Sequence, residues 1–108
     1  MNRGDVRWYT FKAPDKRRPI LILTRSSAIA VLNSLTIAPI TSTIRSIPTE
    51  VVLTVEDGMP DTCAVNFDNI QTVPKVAIGE RITQLTRQKM REAAKSISFA
   101  LGFDEDKI

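Results

Sequence analysis

The sequence predicts a mainly β domain with one α element: a small, strongly bent antiparallel barrel or sheet, with a helix packed against it at the C-terminal end. Three observations carry this. Short β-branched and aliphatic runs, such as Ile20-Leu21-Ile22-Leu23 and Leu35-Thr36-Ile37-Ala38, recur between turn signals. After Thr86 the apolar spacing changes to three- and four-residue steps, the period of a helix. A length of 108 residues gives one core and little more, so residues 1–108 read as a single domain.

Gly4-Asp5 signals a turn, and Val6 to Phe11 follows as a first strand rich in aromatic and β-branched residues. Ala13-Pro14-Asp15-Lys16 is a short connection in which Pro14-Asp15 favours a turn. Arg18-Pro19 leads the second strand, where a proline is tolerated because no ladder donor is needed. Thr24 to Asn33 reads as a loop, and the third strand runs from about Ser34 to Thr41. A polar loop, Ser42 to Pro48, precedes a fourth strand over Glu50 to Val55. Glu56-Asp57-Gly58-Met59-Pro60 is the strongest turn signal in the chain. A short strand near Cys63 to Asn66 and a bend at Phe67-Asp68-Asn69 come next. Ile70 to Val73 and Val76 to Ile82 continue as β structure, interrupted by Pro74 and Gly79. Beyond Thr86, residues Met90, Ala93, Ala94, Ile97, Ala100 and Leu101 share one helical face. Thr86 caps the start of that helix and Gly102 ends it, while residues 104–107 fray.

Composition narrows the function. Apolar content of 43% and charged content of 25% are ordinary for a globular protein. No apolar run reaches the roughly 20 residues of a membrane helix. Met1-Asn2-Arg3-Gly4-Asp5 lacks the apolar stretch of a signal peptide, so a cytoplasmic location and no membrane partner are expected. One cysteine excludes an internal disulfide, and Cys63 within an apolar strand reads as a small core residue. The chain has no histidine, which removes the commonest general base and metal ligand. Phosphate-binding glycine loops, Cys-x-x-Cys pairs and histidine-based triads are absent, so no cofactor or metal is expected. Residues 1–45 hold eight basic against two acidic side chains, a net +6, whereas residues 46–108 hold seven against ten, a net −3. A basic half suits an anionic partner such as nucleic acid. Basic residues that merely solvate strand edges give the same count.

The constellation with chemical content is Arg18 with Thr41, Ser42 and Thr43. If the second and third strands run antiparallel, the start of one lies beside the end of the other. A guanidinium offers a planar fork of donors that matches a phosphate and strengthens as negative charge develops. A threonine hydroxyl adds a donor without ionising. Such a pair could cleave RNA without a metal, because the adjacent 2′-hydroxyl supplies the nucleophile. The same residues also read as a strand-edge charge and a strand-end hydroxyl bonded to local backbone. Asp61 and Asp68 could form a carboxylate pair, although their flanking turns favour local structural roles.

These stretches also carry a family resemblance. Arg3-Gly4-Asp5-Val6-Arg7-Trp8, Arg18-Pro19-Ile20-Leu21-Ile22-Leu23 and Ala38-Pro39-Ile40-Thr41-Ser42 resemble successive blocks of MazF/PemK-type toxins. The similarity continues through Pro48-Thr49-Glu50-Val51, Asp68-Asn69-Ile70-Gln71-Thr72-Val73 and the helical Leu85 to Leu101, over almost the whole chain and in order. The resemblance implies an SH3-like antiparallel β-barrel with a C-terminal helix, of the CcdB/PemK-like kind, forming a symmetric homodimer. It implies a metal-independent, sequence-specific endoribonuclease toxin of a type II toxin–antitoxin system. Such a toxin cuts single-stranded RNA, mainly mRNA, and has a cognate antitoxin protein as partner. The family's catalytic arginine falls on Arg18 and its catalytic threonine on Thr41. An aspartate used by one branch falls on Asp68, but the arginine that accompanies it is replaced here by Asn66. Candidate RNA contacts are Lys16, Arg17, Arg25, Ser42, Thr43, Arg45 and Gln71. The connection through Lys12-Ala13-Pro14-Asp15-Lys16 is shorter than family members often carry. An opener groove is therefore expected, with Lys16 and Arg17 taking over phosphate contacts and a relaxed sequence preference. Two other functions stand beside this one: a CcdB-like toxin that binds DNA gyrase and cuts nothing, and a non-catalytic SH3-like module that binds an acidic partner.

Overall fold

The computed structural model describes residues 1–12 and 16–105. Over these residues the chain forms seven strands, β1 (Asp5–Phe11), β2 (Lys16–Ile22), β3 (Ser34–Thr41), β4 (Glu50–Leu53), β5 (Cys63–Asn66), β6 (Gln71–Pro74) and β7 (Arg81–Gln84). A single-turn helix, α1 (Ser26–Ile29), follows β2, and α2 (Arg87–Leu101) follows β7. All strand pairings are antiparallel. The sheet runs β4-β5-β3-β2-β1-β7, with β6 also paired to β3. Its two end strands do not pair with each other among the described residues, so the sheet is curled and half closed. The bent antiparallel sheet with a C-terminal helix is therefore present as expected.

Register explains the unbroken apolar run in β2. Val6, Leu21 and Ala38 align in one row across β1, β2 and β3, and Arg7, Ile20 and Pro39 align in the next. Adjacent rows face opposite sides of a sheet. Val6, Leu21 and Ala38 join Ile40, Val51, Leu53 and Phe67 in a cluster against which Met90, Ala93 and Ile97 of α2 pack. Ile20 and Ile22 join Ile29, Leu35, Ile37 and Val73, with Tyr9 and Phe11 packed on them. Both faces of β2 are thus covered, which removes the usual polar alternation. Burial of each of these three β2 side chains is worth about 1.5–3 kcal/mol.

β3 changes partners along one edge. Ser34 to Ile37 pair with β6, whereas Ile40 and Thr41 pair with β5. Ala38 and Pro39 lie between the two ladders, where the sheet turns. That turn brings the end of β3 beside β5 and the 3-10 turn Phe67–Asn69 that follows it.

Helix α2 begins and ends where its caps require. The Lys89 N–H donates to the Thr86 hydroxyl at 3.2 Å, and Gly102 closes the helix at φ 79° in the left-handed region. The buried stripe is rotated relative to the expected face. Ala93 and Ser96 are buried while Ala94 and Leu101 are exposed, because the helix lies against β4 and the Phe67–Asn69 turn. None of the described helices is long and apolar enough to cross a membrane.

Three local expectations are corrected. The expected loop Thr24–Asn33 contains α1, whose last carbonyl, that of Ile29, accepts from Lys75 Nζ at 2.8 Å. That contact spans 46 residues and has no local signal. β4 stops at Leu53 rather than Val55, because Thr54 and Asp57 form a capping box for a 3-10 turn over Val55–Asp57. Expected β structure from Val76 is a 3-10 turn over Lys75–Ala77, and the strand begins only at Arg81. There the Gly79 N–H donates to the Trp8 carbonyl at 2.8 Å, which lets the chain turn tightly onto β1. The expected Pro14-Asp15 turn and the last residues of the tail fall outside the described residues.

Candidate active site

The β2–β3 ladder pairs Ile20 with Pro39. Two residues beyond this last pair come Arg18 on β2 and Thr41 on β3, on the sheet face that carries Ile20 and Ile22. Pro19 and Pro39 have no N–H to extend the ladder, and it stops at Ile20 and Pro39. Beyond that point opens a cleft of about 470 Å³, lined by both Arg18 and Thr41.

Three segments build the remaining walls. Thr43 and Arg45 come from the loop after β3. Asn66, Asn69 and Gln71 come from the end of β5, the turn after it and the start of β6. Phe11 and Pro39 supply apolar surface. Among the described residues the lining thus holds two guanidinium groups, two hydroxyls and three amides, and no carboxylate. That inventory is donor-rich and positive, which suits an oxyanion such as a phosphate diester.

Hydrogen bonding orients several of these groups. The Thr43 N–H donates to Thr41 Oγ1 at 3.1 Å, so the Thr41 oxygen is held as an acceptor and its own proton remains to be donated. Gln71 Nε2 donates to the Asn69 carbonyl at 3.2 Å. Arg45 donates twice to Glu50, through its backbone N–H to Oε1 at 2.9 Å and through Nε to Oε2 at 3.0 Å. The Glu50 side chain is 1% exposed, so this ion pair anchors the loop to the protein interior.

Of the residues singled out from sequence, Arg18, Thr41, Thr43, Arg45 and Gln71 meet in this cleft. Arg17 does not. It alternates with Arg18 on β2 and lies over the Trp8 ring, 4.2 Å from its centroid. Lys16 is exposed at the start of β2, and Arg25 occupies the position before α1; neither lines the cleft. Ser42 is exposed beside Thr41 without lining it. Asp68 is also outside the lining. Its Oδ2 accepts from the Thr49 hydroxyl at 2.7 Å, and its N–H donates to Asn66 Oδ1 at 2.9 Å. Burial pushes the Cys63 thiol up from its ordinary range, and the charges of Asp57 and Asp61 add to that rise, so it is no ready nucleophile.

Sequence reasoning missed the cleft roles of Phe11, Pro39, Asn66 and Asn69, and it missed the buried anchor Glu50. The amides are gathered by the pairing of Thr41 with Ala64, which sets the turn after β5 next to the end of β3. Nothing local in the sequence reports that pairing. A glutamate beginning an apolar strand, five residues after an arginine, was a usable signal for Glu50.

Comparison with known proteins gives these residues a context. Residues 2–101 match a family model described as PemK-like, MazF-like toxin of type II toxin-antitoxin system. Among curated relatives, the probable endoribonuclease MazF2 of Mycobacterium tuberculosis is 36% identical over 103 residues, covering 94% of this chain and 99% of that one. Endoribonuclease MazF3 of the same organism is 38% identical over 90 residues, covering 83% and 87%. Among solved structures, the Mycobacterium tuberculosis toxin MazF-mt6 superposes with a TM-score of 0.84 at 33% identity, covering 91% of this chain and 96% of that one. A mycobacterial endoribonuclease solved in complex with its cognate antitoxin gives a TM-score of 0.82 at 28% identity, covering 94% and 95%.

Proposed function

The chain belongs to the PemK-like, MazF-like toxin family, and we propose that Arg18 and Thr41 form the centre at which it cuts RNA. It is an endoribonuclease toxin of the type II toxin–antitoxin class. The observation that supports the site assignment is that Arg18 and Thr41, each two residues beyond the last β2–β3 pair, line one donor-rich cleft.

The chemistry follows from the cleft's groups. A single-stranded RNA lies with one phosphate between Arg18 and Thr41. The neighbouring 2′-hydroxyl attacks the phosphorus, loses its proton to solvent, and forms the new P–O2′ bond. The P–O5′ bond breaks, and the leaving oxygen takes a proton from solvent. The products are a 2′,3′-cyclic phosphate and a 5′-hydroxyl end. The Arg18 guanidinium stabilises the charge on the pentacoordinate phosphate and polarises the leaving oxygen. The Thr41 hydroxyl orients a non-bridging oxygen. No metal is assigned a step, because the substrate carries its own nucleophile.

Asp68 is assigned a supporting role. Its carboxylate holds Thr49 at the foot of β4, and it is not part of the cleft lining. Thr43, Arg45 and Gln71 contact the RNA on either side of the cut. The whole chain acts as one domain in the cytoplasm, pairs as a homodimer, and is held inactive by an acidic antitoxin segment that competes for the basic cleft. Purified protein incubated with long single-stranded RNA in EDTA should cut it and leave a fully paired duplex intact. Intact single-stranded RNA under those conditions would overturn the assignment.

A further inference from the structure

We propose that Glu50 is a positioning residue for Arg45, and that Arg45 held in this way is the second phosphate-binding guanidinium of the cleft. The inference rests on the reading that the cleft takes RNA.

The geometry is specific. Glu50 is the first residue of β4, and its carboxylate is buried, with its side chain 1% exposed. It receives the Arg45 backbone N–H and the Arg45 Nε–H, at 2.9 and 3.0 Å. The Glu50 N–H in turn donates to the Ile47 carbonyl at 2.9 Å, which closes the Arg45–Glu50 segment on itself. Within that segment Ser46 sits at φ 53°, the only non-glycine residue in the left-handed region among those described. Such a conformation persists where surrounding contacts enforce it. The bonds to Glu50 use Nε and leave both Nη groups of Arg45 for the cleft that the residue lines, and its side chain is 51% exposed.

A carboxylate beside a site for polyanions is unfavourable on charge alone. It makes sense here as an orienter. Holding Nε fixes the plane of the guanidinium, so its rotamer freedom is already lost when the phosphate arrives, and the outer fork is presented as a unit. The two ideas differ in sign. If Glu50 only added negative charge, neutralising it would tighten RNA binding. If it aims Arg45, neutralising it weakens binding although a negative charge has been removed. A glutamine has one acceptor oxygen for these two Arg45 donors, so whichever way its amide turns one bond is lost and the neutral oxygen that remains holds the guanidinium less firmly.

The test measures binding of a fluorescein-labelled, mixed-sequence single-stranded RNA by anisotropy over a salt series, with every variant built on Arg18→Ala so that the RNA survives. Arg45→Ala should weaken binding about fivefold near 0.1 M salt and lower the salt slope by about 0.7, the signature of one lost phosphate contact. Glu50→Gln should do the same. The double variant should match Arg45→Ala within about twofold, since both changes remove one interaction. Unchanged or tighter binding by Glu50→Gln would overturn the proposal, and so would a double variant clearly weaker than Arg45→Ala. If Glu50→Gln fails to fold, Arg45→Lys decides. It keeps the charge but cannot hold Glu50 and present a fork, so it should lose at least half of the logarithmic effect of alanine; full affinity would overturn the proposal. Failure of the reading beneath is visible separately, as continued cleavage by Arg18→Ala itself.

Discussion

Replacing Arg18 with alanine is expected to slow RNA cleavage by about three orders of magnitude while leaving the fold intact. Loss of one donor to a developing oxyanion costs about 10²–10³ in rate, and the bidentate fork of an arginine places Arg18 at the upper end. A thousandfold loss corresponds to about 4 kcal/mol of transition-state stabilisation. The stability cost is small for a structural reason. Arg18 is half-buried on the cleft wall, and none of the ion pairs among the described residues uses its guanidinium. A change of about 0.5 kcal/mol or less is expected, equivalent to a shift of about 2–4 °C in Tm. Arg18→Lys restores the charge without the planar fork and should recover about one order of magnitude. Single-turnover cleavage of a labelled RNA, with protein in excess, reads the chemical step, and thermal melting of the same preparations reads the fold. A folded Arg18→Ala protein that cuts within tenfold of the parent, on the order of 1.4 kcal/mol, would refute the reasoning.

Substitutions at three further positions probe other parts of the chain. Thr41→Val should slow cleavage by about tenfold and Thr41→Ser by less, since one positioning hydrogen bond is lost in the first and kept in the second; the same single-turnover assay measures both. Asp68→Asn should stay within about threefold of the parent rate, because the Thr49 hydroxyl can still donate to an amide oxygen; a fall of about a hundredfold would make Asp68 a general base instead. Gly58→Ala should destabilise the protein by about 2–3 kcal/mol in urea unfolding. It combines a left-handed φ of 94° with a new Cβ driven into the Thr83 side chain, whose hydroxyl now donates to the Asp57 carbonyl at 3.0 Å.

Much of the fold was legible because local signals and tertiary demands agreed. Thr86 and Gly102 bracket α2 in both sequence and structure, and the unbroken run at Ile20 to Leu23 announced a strand covered on both faces. The misreadings fall where a distant partner decides. The carbonyl that ends α1 is met by Lys75 from far along the chain, and the β structure expected from Val76 gives way to a turn whose Lys75 N–H donates to the Asn33 carbonyl. The meeting of Arg18 and Thr41 was legible as a condition that β2 and β3 run antiparallel; they do, and both residues line the cleft just beyond the last pair. The division between Arg17 and Arg18 follows from period-two alternation, yet choosing which of the two faces the cleft required knowing that Ile20 and Ile22, not Leu21, share its side of the sheet. Gln71 was named in advance, but the amides of Asn66 and Asn69 beside it were out of reach, since their place depends on β3 exchanging β6 for β5 at Ala38-Pro39.

The central claim is that the RNA's own 2′-hydroxyl attacks a phosphate held by Arg18 and Thr41. It is tested most directly at one mapped cut site. An oligonucleotide spanning that site is made with ribose throughout, and again with a single 2′-deoxy sugar on the 5′ side of the scissile phosphate; both are incubated with the protein in EDTA. The account predicts that the all-ribose strand is cut, with a downstream fragment that polynucleotide kinase labels without prior phosphatase treatment, and that the deoxy-substituted strand stays whole. Cleavage of the deoxy-substituted strand, or a 5′-phosphate on the downstream fragment, would contradict it.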